Sequence, residues 1–405
     1  MLFELSPDQE VLREATARFL ADRVPAETVR SLRSSASGFE PDYWQAGAEL
    51  GWTSLLVSEE QGGGSISGSG LVDLTLVAHE FGLRAAPGPL TSTNVVAAAL
   101  ASSGGAHTAA LADILSGAAV ASWCLGGPPP LDQLGSTGVS YRLDAGSRDA
   151  GSRDGGGGDG GGSGGGAGHE GAGDLVLSGV ARPVEAAAQA GHLLVTARGE
   201  QGLTQLLVPA GTAGVSIEPL RTVELSRRFF AVRFDEVRLP ASAVVGAVGE
   251  AAELVERQLQ LAIVIHNAEA VGAMQAAFDM TVQWAFERYS FGRPLASYQA
   301  LKHRFADMKT WLEASHGIND AAAAAVDAGS PEAAELVSAA KSYIGDYGTE
   351  LLQECVQLHG GIGVTYEHDL HLYLRRVTVN RALYGTPAEH RLRVAGVVEQ
   401  LKERA

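Results

Sequence analysis

The hydrophobic periodicity of this chain switches twice, and each switch changes the kind of layer the chain can build. Between residues 6 and 110, apolar side chains recur at helical spacing, interrupted by glycine-rich turns. Ser6-Pro7-Asp8-Gln9 reads as an N-cap, a proline at the first helical position and an acid in the first turn, followed by Val11, Leu12, Ala15, Phe19 and Leu20 at helical spacing. The pattern repeats over Tyr43 to Leu50, Leu71 to Phe81 and Asn94 to Ser102, with Gly62-Gly63-Gly64 and Pro87-Gly88-Pro89 as separators. From about 118 to 245 the texture becomes short β-type runs bounded by Gly, Pro or Asp: 119–123, 175–177, 192–196, 205–208, 215–217 and 229–234. Helical periodicity returns at Glu250, with alanine-rich stretches over 320–328 and 332–340 that suit a bundle. The expected architecture is an α+β multidomain chain. A helical domain spans 1–117, a small β-barrel or sandwich domain 118–246, and a four-helix-like bundle 247–405.

Size and charge narrow the function classes. A chain of 405 residues exceeds the ~250–300 residues at which single cores stop growing. Hydrophobic residues make up 45% of it, enough to bury more than one core. A formal charge of −17 argues against nucleic acid or an anionic membrane as partner, since both require a basic footprint. Cys124 and Cys355 are too few and too far apart for a disulfide framework and are expected as small core residues in a reducing, cytoplasmic setting. The first residues show no basic region followed by an apolar one, no apolar run approaches a membrane span, and no metal-ligand spacing stands out. Residues 145–174 are roughly half glycine, and such a run is expected as a flexible loop because it cannot bury enough surface to offset its ordering entropy.

Two segments carry chemistry. Arg288-Tyr289-Ser290-Phe291-Gly292-Arg293-Pro294-Leu295, followed by Gln299, falls at a break between helices. A guanidinium there can fork onto a diphosphate, an aromatic ring can pack on an adenosine and the amide can reach a phosphate or ribose oxygen. An ordinary inter-helix salt bridge is the competing reading of Arg288. Gln357-Leu358-His359-Gly360-Gly361-Ile362-Gly363 supplies adjacent glycines that let a ligand approach backbone amides, although a helix C-cap and turn would use the same residues.

Together these segments resemble the acyl-CoA dehydrogenase family, and the resemblance extends over nearly the whole chain. Trp44, Gly51-Trp52, Gly62-Gly63, Arg227-Arg228 and the run from Phe234 to Gly246 contribute to it. The resemblance implies a helical domain, a β-barrel and a helical bundle, FAD bound across a subunit interface, and oxidation of an acyl-CoA thioester to its α,β-enoyl form. Arg288, Phe291 and Gln299 would contact one FAD, Gln357, Gly360 and Gly361 the FAD of a neighbouring subunit, and Thr386 would lie near FAD phosphates. An electron-transfer flavoprotein would take the electrons.

The chain departs from the family in one functional unit. The usual base is a Glu directly before the Gly-Thr pair, where this chain has Tyr384; a minority of members carry it at the position of Ala262. A phenol with pKa ~10 is about one part in a thousand ionised at pH 7, a handicap of roughly 4 kcal/mol. Glu269 shares a helix and a face with Ala262 but lies about 10 Å along the axis, where pairing with a cation is the plainer role. The family's Thr-Glu-Pro, which holds the flavin ring, appears as Gly126-Gly127-Pro128, and the Gly-Ser that follows it recurs only at Gly135-Ser136. The interface segments are retained. The expected role is a subunit that lacks its own catalytic Glu and completes the FAD site of a second acyl-CoA dehydrogenase-like subunit. Such an assembly resembles the heteromeric enzymes of actinobacterial sterol catabolism. A self-sufficient homo-oligomer using Glu269 or Tyr384, or a non-catalytic scaffold, is the alternative.

Overall fold

A computed structural model describes residues 4–126, 137–144 and 174–404; the glycine-rich run up to residue 173, Gly127-Pro128 and Gly135-Ser136 lie outside these residues. The chain opens with helices α1 (Pro7–Arg23), α2 (Ala26–Ser31), α3 (Pro41–Glu49), α4 (Gly70–Arg84), α5 (Leu90–Ala101) and α6 (Thr108–Leu115). Helix α1 starts where its sequence signals placed it. The Ser6 hydroxyl accepts from Gln9 N, and Gln9 Oε1 accepts from Ser6 N, a reciprocal cap that satisfies two donors at the helix start. Trp52 then gathers the helices: its ring meets Phe19, Tyr43, Trp44 and Phe81, and its indole N–H donates to Thr16 Oγ1 at 3.2 Å.

The middle of the chain forms strands β1 (Val120–Cys124), β2 (Val139–Leu143), β3 (Leu175–Glu185), β4 (Ala190–Gly199), β5 (Gly202–Pro209), β6 (Val215–Pro219), β7 (Phe229–Leu239) and β8 (Val244–Val245). They make one sheet in the order β6-β7-β3-β2-β4-β5-β8, with β1 pairing in parallel on β4. Pro183, which has no N–H to offer, sits inside the register shift of the β3–β7 ladder between Ala181 and Val184, just before Glu185. The sheet carries its own core around Val195, Val208, Val232 and Phe234.

The last part holds α7 (Ala252–Glu287), a two-residue hairpin β9 (Tyr289–Ser290) and β10 (Arg293–Pro294), then α8 (Gln299–Asp327), α9 (Ala333–His359), α10 (Leu370–Ala382) and α11 (Pro387–Arg404). Helix α7 is long and apolar enough to cross a membrane by length and composition, yet 89% of that window is buried inside the protein, as for a core helix. One hydrophobic core runs through the helices on both sides of the sheet, from Leu12 and Trp52 through Phe81 to Val264, Leu312 and Leu352. The two helical regions, far apart in sequence, therefore fold around shared apolar surface.

The crossing of α4 on α7 is the tightest point of that core. A Cβ on Gly82 would lie 2.0 Å from the Glu269 carbonyl oxygen, and one on Gly272 would lie 2.1 Å from the His79 carbonyl oxygen. Each glycine lets the other helix's backbone approach, and the obstructing atoms are backbone that cannot swing aside. Gly272→Ala should therefore destabilise the fold by about 2–3 kcal/mol through overpacking. Gly396→Ala, where a Cβ meets nothing within 4 Å in α11, should be neutral or stabilising by up to about 1 kcal/mol. Thermal or denaturant unfolding of the two variants checks the contrast.

Candidate functional site

Tyr384 lies in the turn between α10 and α11, with Tyr384 and Gly385 both in the left-handed backbone region at φ 59° and 99°. That turn sends the phenol ring inward. It stacks on Trp123 of β1 with ring centroids 5.6 Å apart and an interplanar angle of 25°, and it leans on His266 of α7 at 5.1 Å. Burial pushes the phenol above its ordinary range, and the nearby Glu185 carboxyl adds to the shift. Proton abstraction by Tyr384 is thus harder than for a free tyrosine. Ala262, the other expected base position, is fully buried one turn of α7 before His266.

Around these rings lies a lattice of buried charge that the sequence does not announce. Arg376 of α10 donates from Nε to Glu224 Oε2 at 2.9 Å and from Nη1 to Glu269 Oε1 at 3.0 Å. Its Nη2 reaches the carbonyls of Ala85 and Ala86 at 3.1 and 2.9 Å, and Ser226 Oγ at 2.6 Å. Arg227 donates to Glu269 Oε2 at 3.1 Å, and Asn380 Nδ2 donates to the same oxygen at 3.1 Å. Glu269 is therefore held by two guanidiniums and an amide. Burial alone would raise the Glu224 carboxyl, but Arg376, Arg227 and the Ser226 amide outweigh it and bring it down to about 2. For His266, burial leads and the cations around it add, holding the imidazole well below its usual range and so neutral.

Three carboxylates face two guanidiniums in this lattice, and Glu185, at the end of β3, is the least well paired. Its Oε1 makes no hydrogen bond and stands 3.6 Å from Arg227 Nε. Burial raises its carboxyl to about 7, and Arg227 offsets only part of that. Lys341 of α9, whose Nζ donates to the Asn380 carbonyl, is lowered to about 7 by burial. The signal available in the sequence was slight: a Glu closing an apolar strand, and two arginine pairs whose partners are remote in the chain.

The residues expected to meet a cofactor at the surface lie elsewhere. Arg288 caps α7 with its guanidinium over the Trp284 ring at 5.8 Å, and the Trp284 ring stacks on His359, at the C-terminal end of α9, at 5.4 Å. That stack brings the Arg288 hairpin and the Gly360-Gly361 turn to the same end of the bundle. Phe291 and Gly292 form the hairpin tip at φ 48° and 79°, both left-handed as a two-residue turn of this hand requires. Phe291 is 97% exposed, an unusual position for an aromatic ring held in a costly backbone conformation. Arg288, Gln299, Gln357, Gly360 and Gly361 are likewise exposed, and a Cβ on either glycine would meet nothing within 4 Å. The Gln299 amide is hydrogen-bonded to the His303 ring at 2.9 Å. Thr386 acts locally. Its N–H and hydroxyl engage Glu389 Oε2 at 2.6 and 2.8 Å, while Glu389 N donates back, a cap for α11 that the Thr386-Pro387-Ala388-Glu389 spacing signals.

Comparison with known proteins bears on the family and the fold. The model of the acyl-CoA dehydrogenase N-terminal domain matches residues 6–114, and that of the acyl-CoA dehydrogenase C-terminal domain matches residues 252–398. The chain is 27% identical over 94% of both sequences to the acyl-CoA dehydrogenase IpdE2 of Mycobacterium tuberculosis. It shares its fold with a variant of the Tcur3481-Tcur3483 steroid ACAD (TM-score 0.82, 23% identity, 98% of this chain and 99% of the other). It also matches a chain of the ChsE4-ChsE5 complex of Mycobacterium tuberculosis (TM-score 0.81, 21% identity, 98% and 99%).

Removing one member of the lattice should expose its neighbours' charge. Arg376→Met leaves Glu224 and Glu269 short of a counter-ion and should cost about 3–5 kcal/mol of stability. Glu185 makes a pH-dependent contribution whose sign follows from its raised carboxyl: the folded protein keeps this proton up to about 7, whereas the unfolded chain releases it near the ordinary carboxylate value of 4.5. Its contribution to stability is full below the lower value and falls as pH rises through that window. Glu185→Gln should therefore gain in melting temperature relative to the parent between pH 5 and pH 8. A difference that stays flat or reverses across this range would show Glu185 ionised throughout.

Proposed function

The chain belongs to the acyl-CoA dehydrogenase family, oxidoreductases acting on CH–CH bonds, and from that premise we propose that it is a subunit of an FAD-dependent acyl-CoA dehydrogenase whose catalytic carboxylate comes from a partner subunit. The observation that carries this reading is the packing of Tyr384 against Trp123 and His266, with Glu269, the α7 carboxylate on the face of Ala262, held by Arg227 and Arg376. A base must be free to take a proton from Cα. Glu269 would have to leave two guanidiniums to do so.

FAD fits this chain at one end and not at the other. The exposed Arg288 guanidinium, Phe291, Gln299 and Gln357, and the uncovered backbone at Gly360 and Gly361, would hold a dinucleotide shared with a neighbouring subunit. The ring end lacks a hydroxyl at Gly126 and is filled by Trp123, Tyr384 and His266. No reaction step is assigned to this interior. In the partner's site FAD would supply the acceptor for the hydride leaving Cβ, while the partner's carboxylate takes the α-proton. That the ChsE4-ChsE5 relative was solved as a complex of two components supports a mixed assembly. The steroid ACAD relative supports a bulky, polycyclic acyl-CoA as substrate. We further propose an electron-transfer flavoprotein as the electron acceptor and the cytoplasm as location.

Co-expression with a family member that carries the Glu tests the reading. The lone chain should hold little flavin by its absorbance near 450 nm, and the mixed tetramer about half an FAD per protomer, with acyl-CoA oxidation only in the mixture. Arg288→Ala should lower flavin content of the mixture while leaving its assembly intact by mass. A lone chain that is fully loaded and oxidises acyl-CoA at ordinary rates, with activity lost on Glu269→Gln, would establish the self-sufficient alternative instead. A mixed assembly without flavin would leave a scaffold role.

A further inference from the structure

The turn that would present Gly360 and Gly361 to a dinucleotide has little packing of its own. It carries Gly360, Gly361 and Gly363, a Cβ on either of the first two would meet nothing within 4 Å, and Ile362 and Val364 are 41% and 76% exposed. A segment with few buried apolar contacts opens easily, and glycines lose the most freedom on being ordered. Its order therefore depends on what grips its two ends. At one end His359 donates from Nδ1 to the Cys355 carbonyl at 2.8 Å, and its ring meets those of Trp284 and His368 at 5.4 and 4.5 Å.

The other end is gripped from the N-terminal region. Arg30, in the last turn of α2, pairs with Asp369, 339 residues further along the chain, and the two side chains are only 28% and 25% exposed. Arg33, in the single turn Leu32–Ser34 that follows α2, lies over the Tyr366 ring at 5.3 Å. That ring stacks on His371 at 4.5 Å, and His371 Nε2 donates back to the Tyr366 carbonyl at 3.1 Å. The segment carrying the two arginines is itself fixed. Val29 is fully buried, and Arg228, just before β7, donates to the carbonyls of Leu32 and Ser35, reaching Ser35 from Nε at 3.0 Å and from Nη2 at 2.8 Å. A helix of six residues does not persist by its own propensity, so these anchors set the position of Arg30.

We propose that the segment from α2 to Ser34 braces the Gly360 turn, and that Arg30 and Arg33 are positioning residues for the dinucleotide this turn would receive. They act through Asp369 and Tyr366, which close the turn, so that the backbone at Gly360 and Gly361 is held in one conformation. A turn ordered in advance spares the ligand the cost of ordering it. The positioning role rests on the reading of this turn as a dinucleotide contact; the brace itself does not.

Hydrogen exchange read by mass spectrometry on the full chain tests the brace. Arg30→Met and Asp369→Asn should each speed exchange over 360–369 about threefold, the scale of one partly exposed ion pair. The two together should do no more than either alone, because they break a single contact. Arg30→Lys, which keeps the charge, should exchange like the parent, and exchange over 376–382 should stay unchanged in every variant. In the mixed assembly Arg30→Met should weaken FAD binding about two- to threefold at unchanged mass, as the ordered turn becomes less populated. Exchange over 360–369 that ignores both substitutions, or that responds to them additively, overturns the brace. FAD affinity unchanged by Arg30→Met, in an assembly where Arg288→Ala does lower it, overturns the positioning role. A parent assembly that holds no flavin fails the dinucleotide reading instead, and the exchange result then decides the brace by itself.

Discussion

The guanidinium of Arg376 is the point on which the arrangement of the chain depends. It is fully buried, and its partners come from the turn after α4, the segment before β7 and the middle of α7. These belong to the N-terminal helices, the sheet region and the bundle respectively, so one side chain fixes how the three meet. Burial alone would favour losing its charge; Glu224 and Glu269 reverse that, and the guanidinium stays protonated. A buried ion network of this kind adds little net stability over an apolar replacement, but it is unforgiving of partial removal. Its value here is orientation: α10, carrying Arg376, ends at the turn that aims Tyr384 at Trp123.

That orientation accounts for the fit of a tyrosine at residue 384. A Glu at residue 384 would enter a space already bordered by the Glu185 carboxyl and a neutral His266. A phenol instead fills the space with an apolar ring and adds no charge to a lattice with carboxylates to spare. The substitution and the lattice are mutually consistent, which is what a compartment remodelled for packing would show.

Much of the fold was legible. The cap at Ser6, the helices at 41–49, 70–84 and 90–101, and six of the strands follow from capping and periodicity. Strand β2 was missed because five residues with two outward polar positions look like loop, and β8, β9 and β10 because two residues carry no period. At the candidate site the sequence showed the substitution at Tyr384 and the surface motifs, but not what surrounds them. Binary patterning reads Glu185, Glu224, Arg227 and Arg376 as surface residues, since charged side chains are rarely buried unless paired. Their pairing spans as much as 152 residues of chain. No local window contains it. The placement of Arg288 and the Gly360 turn at one end of the bundle was equally hidden, because it is made through Trp284 on His359, and Trp284 lies outside both motifs.

The geometry of α7 separates the buried lattice from the exposed motifs. The lattice engages this helix at His266 and Glu269, whereas the exposed hairpin begins at Arg288. From Glu269 to Arg288, at about 1.5 Å of rise per residue, the helix puts roughly 28 Å between the two. Substitutions that far apart, with no shared partners, act independently. Changes at 126 and 384 could therefore accumulate in the interior without disturbing the Arg288 hairpin or the Gly360 turn. What the surface end does need is a firmly packed α7 to present it. The Gly82–Gly272 crossing and the Arg376 lattice supply that packing. The interior of this chain thus serves the exposed Arg288 hairpin mechanically, by holding the helix that carries it.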